Sequence, residues 1–209
     1  MKLVLASNNA GKLAELQPLL APLGLELLAQ ASLAIAEADE PHPSFVENAL
    51  AKARHAAQQS GCAAIADDSG LCVDALAGAP GVVSAHYAHI ALAPGEREAQ
   101  RRMQDAANNA LLLQRMHGVA DRRARFVCTL VAVRSATDPE PLIATGRWHG
   151  TLLPAAQGAG GFGYDPLLFV PSLERSVAEL DAATKNANSH RAIAARQMLA
   201  LMREVAFGG

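Results

Sequence analysis

The sequence predicts a mixed α/β fold, a central sheet flanked by helices. Three observations carry this. Short apolar runs with strand character alternate with stretches of helical periodicity, the first strand passes into the first helix through a brief polar turn, and a Pro- and Asp-rich turn joins two later strand-like runs as a hairpin. With 209 residues, 51% of them hydrophobic and 18% charged, the chain is expected to fold throughout as one domain over 1–209, compact or two-lobed.

The elements follow in order. Leu3 to Ala6 is a buried-strand pattern that runs into Ser7-Asn8-Asn9-Ala10-Gly11, and Lys12 with leucines at 13, 16, 20 and 23 begins a helix. Pro18 lies inside that helix, where its missing N–H predicts a kink or an early end. Ser44 and Glu47 form a capping box, apolar residues from Phe45 to Ala56 repeat at helical spacing, and Gly61 marks a stop, so a helix is expected from Phe45 to Ser60. Asn48 and Lys52 sit one turn apart at the edge of its apolar stripe, in positions that do not require burial. Ala63 to Ala66 reads as a strand ending at Asp67-Asp68-Ser69-Gly70, with a second strand from Leu71, which puts the acidic pair in a tight connection. Residues 88–122 hold helix-like material around Arg97 to Met116 and no chemical motif. Phe126 to Val133 and Leu142 to Gly150 are the hairpin strands, joined through Thr137 to Pro141, and Ser189 caps a last helix.

Composition excludes several classes. A net charge of −2 and a basic cluster limited to Arg122, Arg123 and Arg125, read as a solvated strand entrance, argue against nucleic acid as partner. Cys62, Cys72 and Cys128 are odd in number and lack CxxC spacing, which disfavours disulfides or zinc and suits a cytoplasmic setting. No run reaches the length of a membrane span. His86 and His89 have no third ligand to make a metal site, and no GxSxG or catalytic thiol context occurs, so hydrolysis by activated water is favoured.

Four clusters remain as chemistry. Ser7-x-Asn9-x-x-Lys12 joins a helix N-terminus to an ammonium, an arrangement that attracts phosphate but equally describes an ordinary helix start. Asp67-Asp68-Ser69-Gly70 carries adjacent carboxylates whose repulsion Mg²⁺ could relieve, or which could accept backbone hydrogen bonds in a turn; Glu37, Asp39 and Glu40 add acids upstream. The run from Gly158 to Pro166 contains a GxGxxG, yet Pro166 follows at once and too little chain remains for a dinucleotide fold, leaving a flexible backbone that presents Phe162 and Tyr164. Lys185, His190 and Arg191 gather donors at the last helix start.

Together with Phe45-Val46-Glu47-Asn48-Ala49, Lys52-Ala53 and Gly78-Ala79-Pro80-Gly81, these blocks, in this order, resemble the inosine triphosphate pyrophosphatase family, especially its bacterial dITP/XTP pyrophosphatase branch. The resemblance implies an elongated mixed sheet with two lobes and a nucleotide cleft between them, a cytoplasmic homodimer, and Mg²⁺-dependent hydrolysis of dITP, ITP and XTP to monophosphate and pyrophosphate. Carried onto this chain, it has Ser7, Asn8, Asn9, Ala10, Gly11 and Lys12 hold triphosphate oxygens, Glu40 and Asp68 hold Mg²⁺, and Asp68 accept the proton of the attacking water. Lys52 adds positive charge. Ser69, Phe162, Gly163, Tyr164, Asp165, Lys185, His190 and Arg191 contact substrate, with Phe162 the ring that stacks on the base. Asp67 competes with Asp68 for the role of base. His86 stands where the family usually has Arg, and Pro41-His42-Pro43 is unusual beside Glu40. The rivals are a Maf-like pyrophosphatase acting on other bases and a non-catalytic nucleotide-binding module.

Overall fold

Strand β1 (Lys2–Leu5) passes through Ser7 to Asn9 into helix α1 (Ala10–Leu20), and β2 (Glu26–Ala29) returns parallel to β1, pairing Leu3 with Leu27. The computed structural model describes residues 2–91, 95–205 and 207. Helix α2 (Phe45–Ser60) is followed by β3 (Ala63–Val73), α3 (Arg97–Arg115), β4 (Arg123–Val133), β5 (Leu142–Leu152), β6 (Leu168–Val170), β7 (Arg175–Ser176), α4 (Ala182–Asn188) and α5 (His190–Glu204). The sheet has seven strands in the order β2-β1-β3-β4-β5-β6-β7. It is mixed: β1 is parallel to β2 and β3, while β6 is antiparallel to β5 and β7. Among the described residues no helix is long and apolar enough to cross a membrane.

The chain divides into two compact units, one of Met1–Ser69, Val127–Arg147 and Asn186–Gly209, the other of Gly70–Phe126 and Trp148–Lys185. In the first unit the pleat sends alternate residues to opposite sides of the sheet. Leu3, Leu5, Ile65, Cys128 and Leu130 pack with Leu16 and Leu20 of α1 and Ala194, Ala195, Met198 and Met202 of α5. Val4, Ala64, Ala66, Val131 and Val133 meet Ala49, Ala53, Ala56 and Ala57 of α2 on the other side. Gly146 is where α5 approaches the sheet: an added Cβ would lie 2.0 Å from the His190 carbonyl oxygen, so no larger residue fits unless the helix shifts. The second unit is built around Leu71, Val73, Leu112, Met116, Phe126, Trp148, Tyr164 and Leu168.

Helix α2 has the expected bounds, with the Ser44 Oγ accepting from the Glu47 amide at 3.4 Å and Gly61 as a left-handed stop at φ 66°. The helix α1 ends two residues beyond Pro18, at Leu20, and tightens into a 3₁₀ turn over Ala21–Leu23, the early end that Pro18 predicted. The arginine cluster differs in part from a solvated entrance. Arg122 donates to the carbonyls of Met116, Leu152 and Leu153 and Arg125 pairs with Asp74, while Arg123 is solvated as expected, its side chain 74% exposed.

The β4–β5 connection is held by Asp138, whose carboxylate accepts from the Arg134 amide at 2.8 Å, the Arg134 guanidinium at 3.1 Å and the Glu140 amide at 3.0 Å. The Arg134 bond chiefly draws its pKa from 3.8 down to about 2. A depressed carboxylate stabilises the fold above its unfolded pKa and loses that contribution as pH falls through the folded one. With Arg134 half exposed and screened, the contribution is about 1 kcal/mol. Asp138→Ala is therefore expected to lower unfolding free energy at pH 7 by that amount and by nearly nothing at pH 2, measured by urea titration at both values.

Candidate active site

The acidic pair does not sit in a turn. Strand β3 continues unbroken for 11 residues through Asp67, Asp68, Ser69 and Gly70, correcting the two-strand reading. The residues between Ala66 and Leu71 have little strand propensity; β1 registers only with Ala63 to Ile65, and the strand's place in the sheet beside β4 carries the extended conformation past that point. The consequence is chemical. Neighbours along a strand point to opposite faces, so the two carboxylates pair directly with different ammonium groups, Asp67 with Lys12 and Asp68 with Lys52.

Asp67 turns to the α1 and α5 side and is 1% exposed. Its Oδ2 accepts from Arg191 Nε at 2.6 Å and from the Cys128 thiol at 3.3 Å, and its Oδ1 faces Lys12 Nζ at 2.8 Å. Arg191, itself 1% exposed, also pairs with Glu15 and donates to Ser69 Oγ at 3.0 Å. Burial alone would push the Asp67 carboxyl up; Arg191 and Lys12 more than reverse this and hold it well below the usual carboxylate range. Burial pushes the Cys128 thiol well up, and Asp67 adds to the shift. Asp67 is thus a buried anion held by Arg191 and Lys12, a poor base for water.

Asp68 turns to the α2 side. Its Oδ1 accepts from Lys52 Nζ at 2.9 Å, and its Oδ2 is buried with no hydrogen-bond partner. Burial raises its pKa, with Lys52 only partly offsetting the rise. For Lys52 burial acts downward, but Asp68 and Glu40 prevail and raise its pKa, so the ammonium stays charged. Lys52 Nζ also reaches Glu40 Oε1 at 3.1 Å, so one cation already lies between the two acids. Asn48 and Lys52 are both buried, unlike the sequence expectation. Asn48 explains the first departure: its amide donates to the His42 carbonyl at 3.1 Å and accepts from the His42 amide at 3.0 Å, fixing Pro41-His42-Pro43 and with it the loop that carries Glu40.

In the loop after β1, Asn9 is the N-cap of α1, its Oδ1 accepting from the Lys12 amide at 3.2 Å, and Ser7 Oγ accepts from the Asn9 amide at 3.2 Å. The leading amides at Ala10 and Gly11 have no partner within the helix, the ordinary state of a first turn. The Asn8 Oδ1 is buried without a partner. Ser189 caps α5 by accepting from the Ala192 amide at 3.1 Å, and His190 is 6% exposed at the first helical position.

The second unit holds the glycine-rich segment. Gly161 adopts φ +75°, and a Cβ there would meet Asp165 Oδ2 at 2.0 Å. That oxygen accepts from the Phe162 amide at 2.9 Å and from Lys185 Nζ at 2.7 Å. The Phe162 ring is half-buried, with Lys185 Nζ 4.7 Å and the Arg101 guanidinium 5.2 Å from its centre. Tyr164 is 4% exposed and its hydroxyl donates to the Ser84 carbonyl, so its ring belongs to the core. Helix α3, where the sequence showed no motif, supplies three of the loop's partners. Besides Arg101, Asp105 Oδ2 accepts from the Gly163 amide at 2.8 Å and Asn109 Nδ2 donates to the Gly163 carbonyl at 3.0 Å. Burial pushes the Asp105 carboxyl up, with the Gly163 amide pulling against it.

The sequence profile of the Ham1 family matches residues 3–201. The chain belongs to the Ham1 family. Its similarity to other Ham1 proteins extends over almost the full length. It is 70% identical to the dITP/XTP pyrophosphatase of Methylibium petroleiphilum, with 97% of this chain and 98% of that one aligned. It is 68% identical to the dITP/XTP pyrophosphatase of Leptothrix cholodnii over 97% of both. Among solved structures, a Ham1 protein from Coxiella burnetii superposes with a TM-score of 0.86 at 41% identity, over 98% of this chain and 99% of that one. The Staphylococcus aureus Ham1 protein does so with 0.82 at 32% identity, over 98% and 100%. The mixed, helix-flanked sheet is therefore the Ham1 fold, as the sequence blocks implied.

Of the residues singled out from sequence, the first unit gathers Lys12, Glu40, Lys52, Asp68, Ser69 and Arg191 around β3, and the second gathers Phe162, Gly163, Asp165 and Lys185. Sequence reasoning missed Glu15, Cys128, Arg101, Asp105 and Asn109. The signal for the last three was available as an i, i+4, i+8 polar series along α3.

Proposed function

We propose that this Ham1 protein hydrolyses noncanonical purine nucleoside triphosphates, dITP, ITP and XTP, to the monophosphate and pyrophosphate, removing deaminated purines from the nucleotide pool. The carrying observation is the division of labour across β3, which sets one carboxylate, Asp68, apart from the buried Asp67 anchor. High identity to two dITP/XTP pyrophosphatases over nearly whole chains supports the same substrate class.

Asp68 is the base in this reading. Its buried Oδ2 has no hydrogen-bond partner within the chain, which leaves that oxygen to take a proton from a water in line with the α-phosphorus. Glu40 and Asp68 also suit Mg²⁺. The Lys52 ammonium between the two carboxylates supports reading them as a cation-facing pair, and Glu40 keeps 44% of its side chain exposed. Among the described residues no group of three or more His, Cys, Asp or Glu gathers, and two carboxylates completed by substrate phosphates is a Mg²⁺ arrangement. When bound, the ion neutralises charge that develops on the leaving pyrophosphate. Lys12, Lys52 and the first-turn amides of α1 orient the phosphate oxygens and hold their charge.

The base is assigned to the second unit, with Phe162 as its stacking platform. Lys185, beside the ring and paired with Asp165, is the donor assigned to a 6-keto oxygen, an acceptor that hypoxanthine and xanthine present and adenine does not. Arg191 takes a different part from the one first expected, because its guanidinium is engaged by Asp67, Glu15 and Ser69. The chain acts as a homodimer in this proposal.

The test is turnover with Mg²⁺ and dITP, dGTP or dATP, following pyrophosphate and monophosphate. Equimolar products from dITP are expected, with dATP at least about tenfold slower in kcat/KM from a difference of one satisfied polar contact, while dGTP, which carries the same 6-keto oxygen, measures discrimination at the 2-position. Orthophosphate in place of pyrophosphate, or no release at all, would refute the assignment.

A further inference from the structure

Helix α3 meets the glycine-rich segment at one residue. Asp105 and Asn109, a single helical turn apart, take both polar groups of the Gly163 backbone: the carboxylate accepts from its N–H at 2.8 Å, and the amide donates to its C=O at 3.0 Å. Gly163 has φ +62°, a left-handed conformation that places its two polar groups where one helix face reaches both. On the other side of Phe162 a second carboxylate, Asp165, accepts from the Phe162 amide at 2.9 Å. The backbone is thus gripped before and after Phe162, while the ring itself is left half-buried with Arg101 from the same helix face over it. A flexible glycine-rich stretch would otherwise let the ring wander among conformers, and every conformer that misplaces it weakens binding in proportion to its population.

We infer that Asp105 and Asn109 are positioning residues for base recognition: acting through the Gly163 backbone, they hold the Phe162 ring in the pose that receives the purine. This rests on the reading of Phe162 as the base platform. A neutral amide at position 105 can still accept from the Gly163 N–H, whereas a methyl cannot, and the loss should be felt in binding and not in the chemical step, which belongs to Asp68.

The experiment compares Asp105→Ala, Asp105→Asn and Asn109→Ala, each alone and with Phe162→Ala, by dITP kinetics and by metal-free dITP binding observed in the NMR signals of the Phe162 ring and Gly163 amide. Asp105→Ala should raise KM and Kd roughly tenfold with kcat within about twofold, corresponding to one lost hydrogen bond. Asp105→Asn should restore most of the loss and Asn109→Ala should weaken binding by a smaller factor. In the Phe162→Ala background Asp105→Ala should add almost nothing, because both act on one contact. Full additivity, or a loss of kcat with KM unchanged, overturns the inference. If Asp105→Ala does not fold, Asp105→Asn and Asn109→Ala with the Gly163 amide exchange rate decide in its place. A wild-type chain that binds dITP without cleaving it refutes the proposed reaction alone, since the Kd comparison still decides the clamp; a chain that does not bind dITP sinks both.

Discussion

Asp68→Asn is expected to slow pyrophosphate release from dITP by about 10²–10⁴-fold, the range for losing a positioned general base. The substitution keeps an oxygen near Lys52, so the fold should persist and thermal unfolding should move little. Asp67→Asn makes the contrast. It removes charge from a group whose oxygens face Arg191, Lys12 and Cys128, so stability should fail first and activity only as a consequence. The pair of variants, measured by turnover at saturating dITP and by urea unfolding, separates the two acids. Equal kinetic losses with equal destabilisation would sink the division of roles.

Arg191→Met is expected to cost about 3–5 kcal/mol of unfolding free energy, the range for breaking a buried ion pair by removing one partner. Asp67 and Glu15 would lose their common guanidinium, and Lys12, partly exposed, would be left as the main compensation for a carboxylate with no water around it. Urea titration at pH 7 measures the loss. The pH dependence carries a sign. Because the native Asp67 carboxyl is held below its ordinary 3.8, its contribution is present above that value and fades as pH falls through the lower, folded one. The gap between parent and variant should therefore narrow in acid. Arg191→Met combined with Asp67→Leu should recover part of the stability, since the fully buried Asp67 charge is gone while Glu15 and Lys12 each lose a former partner; a single variant costing under about 1 kcal/mol would contradict the anchoring role.

Much of the site was legible because its pieces are local. The Ser44 cap, the Gly61 stop and the Ser189 cap are each decided by side chains bonding to backbone a few residues away, and these came out where the spacing put them. The strand through Asp67 and Asp68 was misread for the opposite reason. Polar residues and a glycine look like a turn, and only the continuation of β3 in the sheet, beyond the end of β1, holds them extended. Helix α3 was read as a plain helix, because the partner of Asp105 and Asn109 is a backbone some fifty residues away that no local pattern announces.

The sequence by itself determined the α/β class, the placement of the helices, and the identity of the charged and aromatic residues that the chemistry draws on. Those depend on periodicity and on short-range caps, which one stretch of chain contains. Tertiary structure alone decided which side of β3 each acid faces, which groups pair with Arg191, and which residues bond the Gly163 backbone. Each of those outcomes is a matter of burial and of which partner fills a lone pair, and both are set by elements brought together from far apart in the chain.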